Sequence, residues 1–221
     1  MKSTSTPPQA EGMEERASSE LSSHDRILQS ARRLFATDGY ENATTSAIAR
    51  MAGTSESQLI KHFGSKEGLL EAIFDHSWQR MAAGISPALA PLTSPREKLV
   101  ALTELMISAL EKDKELRTLM LLEGRRIRKH GHMVVLTRGF LGVLKALDGL
   151  LRQLQEAGQL RQDLNVESVR AALVGAFEGL LRDQLLAERL DFPAHYDGTE
   201  LRATFKTVLE CFFTDAEEPK G

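Results

Sequence analysis

From residue 24 onward, apolar side chains recur three and four positions apart, and no stretch shows sustained two-residue alternation. That spacing lays an apolar stripe along each helix and leaves no strand pattern, so the sequence predicts an all-α fold. The first helix is expected over 25–37, with Ile27, Ala31, Leu34 and Phe35 on one face and a stop at Asp38 and Gly39. A short helix follows Thr44 and Thr45, turns Ile48, Ala49 and Ala52 inward, and stops at Gly53. Ser55 with Gln58 three residues later matches a capping box, which starts a third helix at Ser55 and aims Leu59 and Phe63 at the core. Gly64 and Ser65 break that helix, and Ser65 caps a longer one beginning at Lys66 and Glu67.

The remaining elements are punctuated as clearly. Ser94, Pro95, Arg96 and Glu97 combine an N-cap, a proline at the first helical position and a glutamate that completes the box, so a helix starts there and reaches about 112. Further helices are expected over 115–128, over 132–156 with a stop at Ala157 and Gly158, over 166–189, and over 199–214, the last carrying Cys211. Residues 1–22, rich in Ser, Thr, Pro and Glu, hold too little apolar surface to offset the entropy of ordering and read as a disordered tail. The domain plan is therefore a tail over 1–22, a small helical head over 23–70 and a helical body over 71–216.

A hydrophobic fraction of 42% suffices for a core at this length, and the single cysteine excludes an internal disulfide framework. No Cys or His cluster has metal-ligand spacing, and no cofactor motif is present. The first residues lack a signal-peptide pattern, and the longest apolar runs fall far short of the roughly 20 residues that span a bilayer, which points to the cytoplasm. Net charge is −3, yet residues 24–66 carry six basic side chains against four acidic ones, a mildly basic segment in an acidic chain. A glycine-rich phosphate loop, a nucleophile elbow and a paired-histidine metal site are all missing from the sequence, so no enzyme is expected.

Two short helices joined by a tight turn at Gly53 and braced by a preceding helix are what a helix-turn-helix reader needs. Such a pair also occurs in helical proteins that never touch DNA. The run of Ala31, Phe35, Gly39, Tyr40, Thr44, Thr45, Ile48, Ala49, Ala52, Gly53, Ser55, Leu59, His62, Phe63, Ser65, Lys66, Glu67, Leu69 and Leu70, in that order and spacing, is more specific. Over residues 27–73 it resembles the DNA-binding region of the tetracycline-repressor (TetR) family. The resemblance implies a three-helix helix-turn-helix head on a helical ligand-binding and dimerisation body. It further implies a homodimeric repressor, released from double-stranded operator DNA by a small-molecule effector whose class the sequence does not reveal.

By the same resemblance Thr44, Thr45, Lys61, His62 and Lys66 hold DNA phosphates, which fixes register. Ser46, Glu56, Ser57 and Gln58 match positions that reach base edges, where Gln58 suits adenine and Glu56 the amino group of cytosine. Two residues depart from the family pattern. Ile60 stands where a tyrosine often donates to the backbone, and Glu56 brings negative charge toward phosphates, which points to modest affinity or a specialised operator. These departures, with the low net positive charge, also sustain a rival reading, a helical ligand-binding or scaffolding protein whose head has lost DNA binding.

In the body, Arg125, Arg126, Arg128, Lys129 and His130 suit either an anionic effector or a solvated helix end. His76, Trp78 and Met81 suit a pocket wall or the core, and Glu178, Arg182 and Gln184 would need partners or a ligand if they face inward. Ala172, Gly175, Ala176 and Gly179 form a small-residue stripe that serves either close packing within one subunit or a dimer interface. The resemblance favours the dimer, with the last helix and Cys211 beside that stripe.

Overall fold

The computed structural model describes residues 22–124 and 136–214, and the chain divides into two compact units between Ile73 and Phe74. In the first unit, α1 (Ser23–Thr37) starts at Ser22, whose side chain accepts from the Asp25 N–H at 3.2 Å. Ser22, which the sequence reading gave to the tail, is thus the N-cap that satisfies one of the orphan donors of the first turn. Residues 1–21 and the basic cluster from Arg125 to His130 lie outside the described residues. Ile27, Ala31, Leu34 and Phe35 are buried as the spacing predicts.

Helix α2 (Thr45–Met51) and helix α3 (Glu56–Phe63) are capped by Thr44 and Ser55, whose hydroxyls accept from Ala47 and Gln58 at 3.1 and 3.2 Å. Between them Gly53 adopts φ +62, a left-handed conformation that costs any residue with a Cβ about 1 kcal/mol or more. The Arg26 Nε–H donates to the Ala52 carbonyl at 3.0 Å, so α1 holds the C-terminal end of α2 where the turn begins. Leu59 is fully buried, whereas Phe63 is only half-buried and packs beside the His24 ring at 4.8 Å. Helix α4 (Lys66–Leu89) begins where the Ser65 hydroxyl accepts from Gly68 N–H at 3.0 Å, and it runs on into the second unit.

The second unit holds α5 (Pro95–Lys112), α6 (Lys114–Leu119), α7 (Arg138–Glu156), α8 (Val166–Arg189) and α9 (Gly198–Glu210). Helix α7 packs on α5 and α8, and α9 packs on α8 and α5. Ion pairs tie the layers: Arg170 to Asp148 at 2.6 Å, Arg202 to Glu111 at 2.5 Å and Arg117 to Glu188 at 2.6 Å. After α9 the chain returns to the turn between α7 and α8, where Leu160 and Phe213 form an isolated antiparallel bridge.

One cap and three boundaries differ from the sequence reading. The helix at Pro95 starts where predicted, but Ser94 makes no side-chain cap bond; proline already presets the entry angle, so the hydroxyl is not needed to start the helix. Helix α6 widens at Met120–Gly124 into a π turn, which a 3.6-residue apolar period cannot reveal. Helix α7 begins at Arg138 rather than 132, because the Thr137 hydroxyl accepts from the Phe140 N–H at 3.3 Å and leaves Leu136 outside. The last helix ends at Glu210, and Cys211 is its exposed C-cap.

Candidate nucleic-acid interface and ligand cavity

On the head, Ser46 from α2 and Glu56, Ser57, Gln58, Lys61 and His62 from α3 are exposed, as is the cap Thr44. The Thr44 oxygen accepts from Ala47 N–H, which leaves the hydroxyl proton for an external acceptor such as a phosphate. Thr45 is engaged differently: its hydroxyl donates to a Glu56 carboxylate oxygen in a very short bond. This bond links the first turn of α2 to the first turn of α3 and turns part of the Glu56 charge toward the protein. Ile60 is 43% exposed on the same helix, an apolar patch one turn beyond Glu56.

Lys66 and His62 also have partners within the head. The Lys66 ammonium lies 4.4 Å from the centre of the Tyr40 ring and donates to the Glu41 carbonyl at 3.2 Å. His62 Nε2 is 3.2 Å from Ser23 Oγ, and its ring meets His24 edge-on at 5.7 Å. Both side chains are thereby held in place before any DNA arrives. Sequence reasoning missed Ser23, His24 and Tyr40 as supports, since each is far along the chain from the residue it holds.

Inside the second unit lies a cavity of about 90 Å³. Its wall takes Trp78 from α4, Thr103 and Met106 from α5, Met120 from the π turn, Phe140 from α7, Phe177 and Glu178 from α8 and Phe205 from α9. Trp78 and Phe140 pack with ring centres 5.0 Å apart, and Phe177 and Phe205 at 5.7 Å. The lining is almost wholly apolar. Thr103 donates its hydroxyl proton to the Leu99 carbonyl at 2.6 Å. Trp78 is 2% exposed, and its indole N–H has no acceptor among the described residues, an omission that costs on the order of 1–3 kcal/mol.

Of the ligand candidates read from the sequence, Trp78 and Glu178 thus meet at this cavity. His76 and Arg182 are exposed, Met81 is half-buried, and none of the three is among the described lining residues. Arg126 lies outside the described residues. The other wall residues escaped the sequence reading because a helical apolar face that lines a cavity has the same spacing as one that fills a core. Ala172 and Gly175 are exposed and Ala176 and Gly179 half-buried; a Cβ built on either glycine would meet nothing within 4 Å. Among the described residues, close packing within the subunit does not account for the two glycines. No group of three or more His, Cys, Asp or Glu side chains among the described residues could hold a metal, and no helix there is long and apolar enough to cross a membrane.

A family model described as bacterial regulatory proteins, tetR family, matches residues 27–73, and a second, described as YsiA-like protein, C-terminal region, matches residues 74–195. The HTH-type transcriptional repressor AcnR of Corynebacterium glutamicum is 29% identical over 164 residues, which are 72% of this chain and 80% of that protein. The fatty acid degradation regulator FadR from Bacillus halodurans superposes with a TM-score of 0.75 at 25% identity, covering 86% of this chain and 96% of its own. The transcriptional regulator FadR from Bacillus subtilis, solved in complex with stearoyl-CoA, superposes with a TM-score of 0.73 at 23% identity, covering 85% and 96%. With both of its units matched, the chain belongs to the tetR family of bacterial regulatory proteins and is a ligand-responsive, DNA-binding repressor.

Proposed function

We propose that the protein is a cytoplasmic homodimer that holds two helix-turn-helix heads on operator DNA and leaves it when an elongated apolar ligand of the acyl class enters the body. The observation that carries this reading is the cavity, whose wall takes apolar side chains from every contributing helix and includes Trp78 of α4, the helix that begins beside the head's own α3. A ligand of this class gains affinity from burial at about 25 cal/mol per Å² of apolar surface. At about 90 Å³ the cavity is well below the roughly 300 Å³ or more of a typical small-molecule pocket, so a longer chain enters only by parting the helices around it. That displacement shifts the stretch of α4 that lines the cavity, and α4 begins in the head.

Two similarities support the ligand class: one related structure is a regulator of fatty acid degradation, and another contains stearoyl-CoA. In this reading Thr44, Thr45, Lys61, His62 and Lys66 hold phosphates, while Ser46, Glu56, Ser57 and Gln58 face base edges. The open stripe on α8, with Cys211 near the end of α9, lies in the dimer interface. No catalytic step is involved. The rival, a head without DNA binding, rests on Ile60, Glu56 and the low net positive charge; against it, the Thr45 hydroxyl engages the Glu56 carboxylate. The test is to select operator fragments from random duplex DNA, then titrate the complex with acyl-CoA thioesters of increasing chain length. Release with a clear chain-length optimum is expected; DNA binding indifferent to every chain length would sink the proposal.

A further inference from the structure

Trp78 is a costly choice for a residue that only fills space. A phenylalanine would offer a similar apolar face without a buried N–H that lacks an acceptor among the described residues. Its position is firmly held: Gly139 of α7 lies so close that a Cβ there would stand 2.6 Å from the Trp78 Cβ, and Phe140 packs against the ring. The other polar groups of the wall do not duplicate what the indole offers. The Thr103 proton is already donated to Leu99, and Glu178 is a carboxylate with an interaction of its own. No lysine, arginine or histidine is among the described lining residues.

We propose that the Trp78 indole N–H is the polar anchor of the effector site, and that it receives a neutral oxygen, the carbonyl of an ester or thioester at the head of an apolar chain. The inference rests on the reading of this cavity as the effector site. A neutral acceptor suits the described wall, where a free carboxylate would be buried in the company of Glu178 and with no cation among the described lining residues to pair with. An ester or thioester carbonyl gives the indole its missing partner and carries no charge. The anchor therefore selects acyl conjugates over the corresponding free acids, a discrimination that apolar burial alone does not supply because the chains are the same.

The chain contains a single tryptophan, so one indole N–H resonance in a ¹⁵N-correlated spectrum reports on this group alone. Three probes separate the contributions: dodecanoyl-CoA, the thioether S-dodecyl-CoA that lacks the carbonyl, and dodecanoate. With dodecanoyl-CoA the indole resonance should move downfield and exchange its proton more slowly. It should do neither with the thioether, and dodecanoate should bind more weakly than the thioester. Trp78→Phe should bind dodecanoyl-CoA about tenfold more weakly and the thioether unchanged. The wild-type spectrum decides the question even if the variant folds poorly. A thioester that releases DNA while the indole stays unmoved, or a Phe variant that keeps its preference for thioester over thioether, overturns the anchor and leaves the acyl-effector reading standing. If none of the three probes binds or releases DNA, both fall.

Discussion

Lys66 rests on Tyr40 and the Glu41 carbonyl in a surface contact worth about 0.5–1 kcal/mol, weak enough for a DNA phosphate to compete with. Replacing it with alanine should weaken DNA binding about equally on all sequences and lower the slope of log affinity against log salt by roughly one. Binding measured across a salt series checks this, and an unchanged slope would take Lys66 off the list of phosphate contacts. Gln58 is different, because only its backbone N–H is used for the Ser55 cap and its exposed amide is left for bases. Gln58→Ala should cost on the order of 1–3 kcal/mol on the preferred operator and relax selection at one base position per half-site. Identical base preferences for mutant and wild type in a binding-site selection would refute that role.

At the scale of elements, α4 and α7 approach closely where Gly139 faces Trp78. Gly139→Ala places a methyl group 2.6 Å from the Trp78 Cβ and 3.3 Å from the Gln79 nitrogen, so one helix must move. Overpacking of this kind costs roughly 1–3 kcal/mol, and for a chain of this size each kcal/mol lowers the melting temperature by about 2–4 °C. Calorimetry should show that loss, and tryptophan fluorescence, which comes from Trp78 alone, should shift with it. A variant with wild-type melting and emission would mean that the two helices slide apart freely. The same region shows where element prediction failed. The apolar run from Leu119 to Leu122 satisfies an α-helix or a π turn equally, and the Thr137 cap, not the apolar pattern, sets the start of α7.

Repression by the whole molecule needs two recognition helices at a fixed separation, since one helix reads only a few base pairs. If α8 forms the dimer contact through Ala172, Gly175, Ala176 and Gly179, Gly175→Leu should push the partners apart. Because a Cβ at 175 meets nothing within 4 Å in the subunit, the substitution should leave the single fold intact and even favour the helix by up to about 1 kcal/mol. The interface should lose about 1–3 kcal/mol, and operator affinity should fall with no DNA-facing residue changed, since the heads no longer sit near 34 Å or another multiple of the helical repeat apart. Sedimentation and operator binding of the variant test this together. A folded protein that stays dimeric and binds normally would show that α8 does not mate through this stripe.

The sequence alone determined the helices and the head because their signals are short-ranged. A cap bond such as Ser55 to Gln58 or Asn165 to Ser168 spans three residues, Gly53 and Gly158 mark left-handed stops, and an apolar stripe repeats within one turn. Tertiary structure decided everything that depends on helices crossing. Thr45 meets Glu56 and Lys66 meets Tyr40 only once the three helices of the head and the start of α4 are packed. The cavity draws its wall from positions as distant as Trp78 and Phe205, and whether an apolar side chain there fills space or borders it is set by how far apart the helix axes come to rest. His76, two residues from Trp78, faces solvent for the same reason: a step of two along a helix crosses to the other side, and only packing reveals which side holds the site.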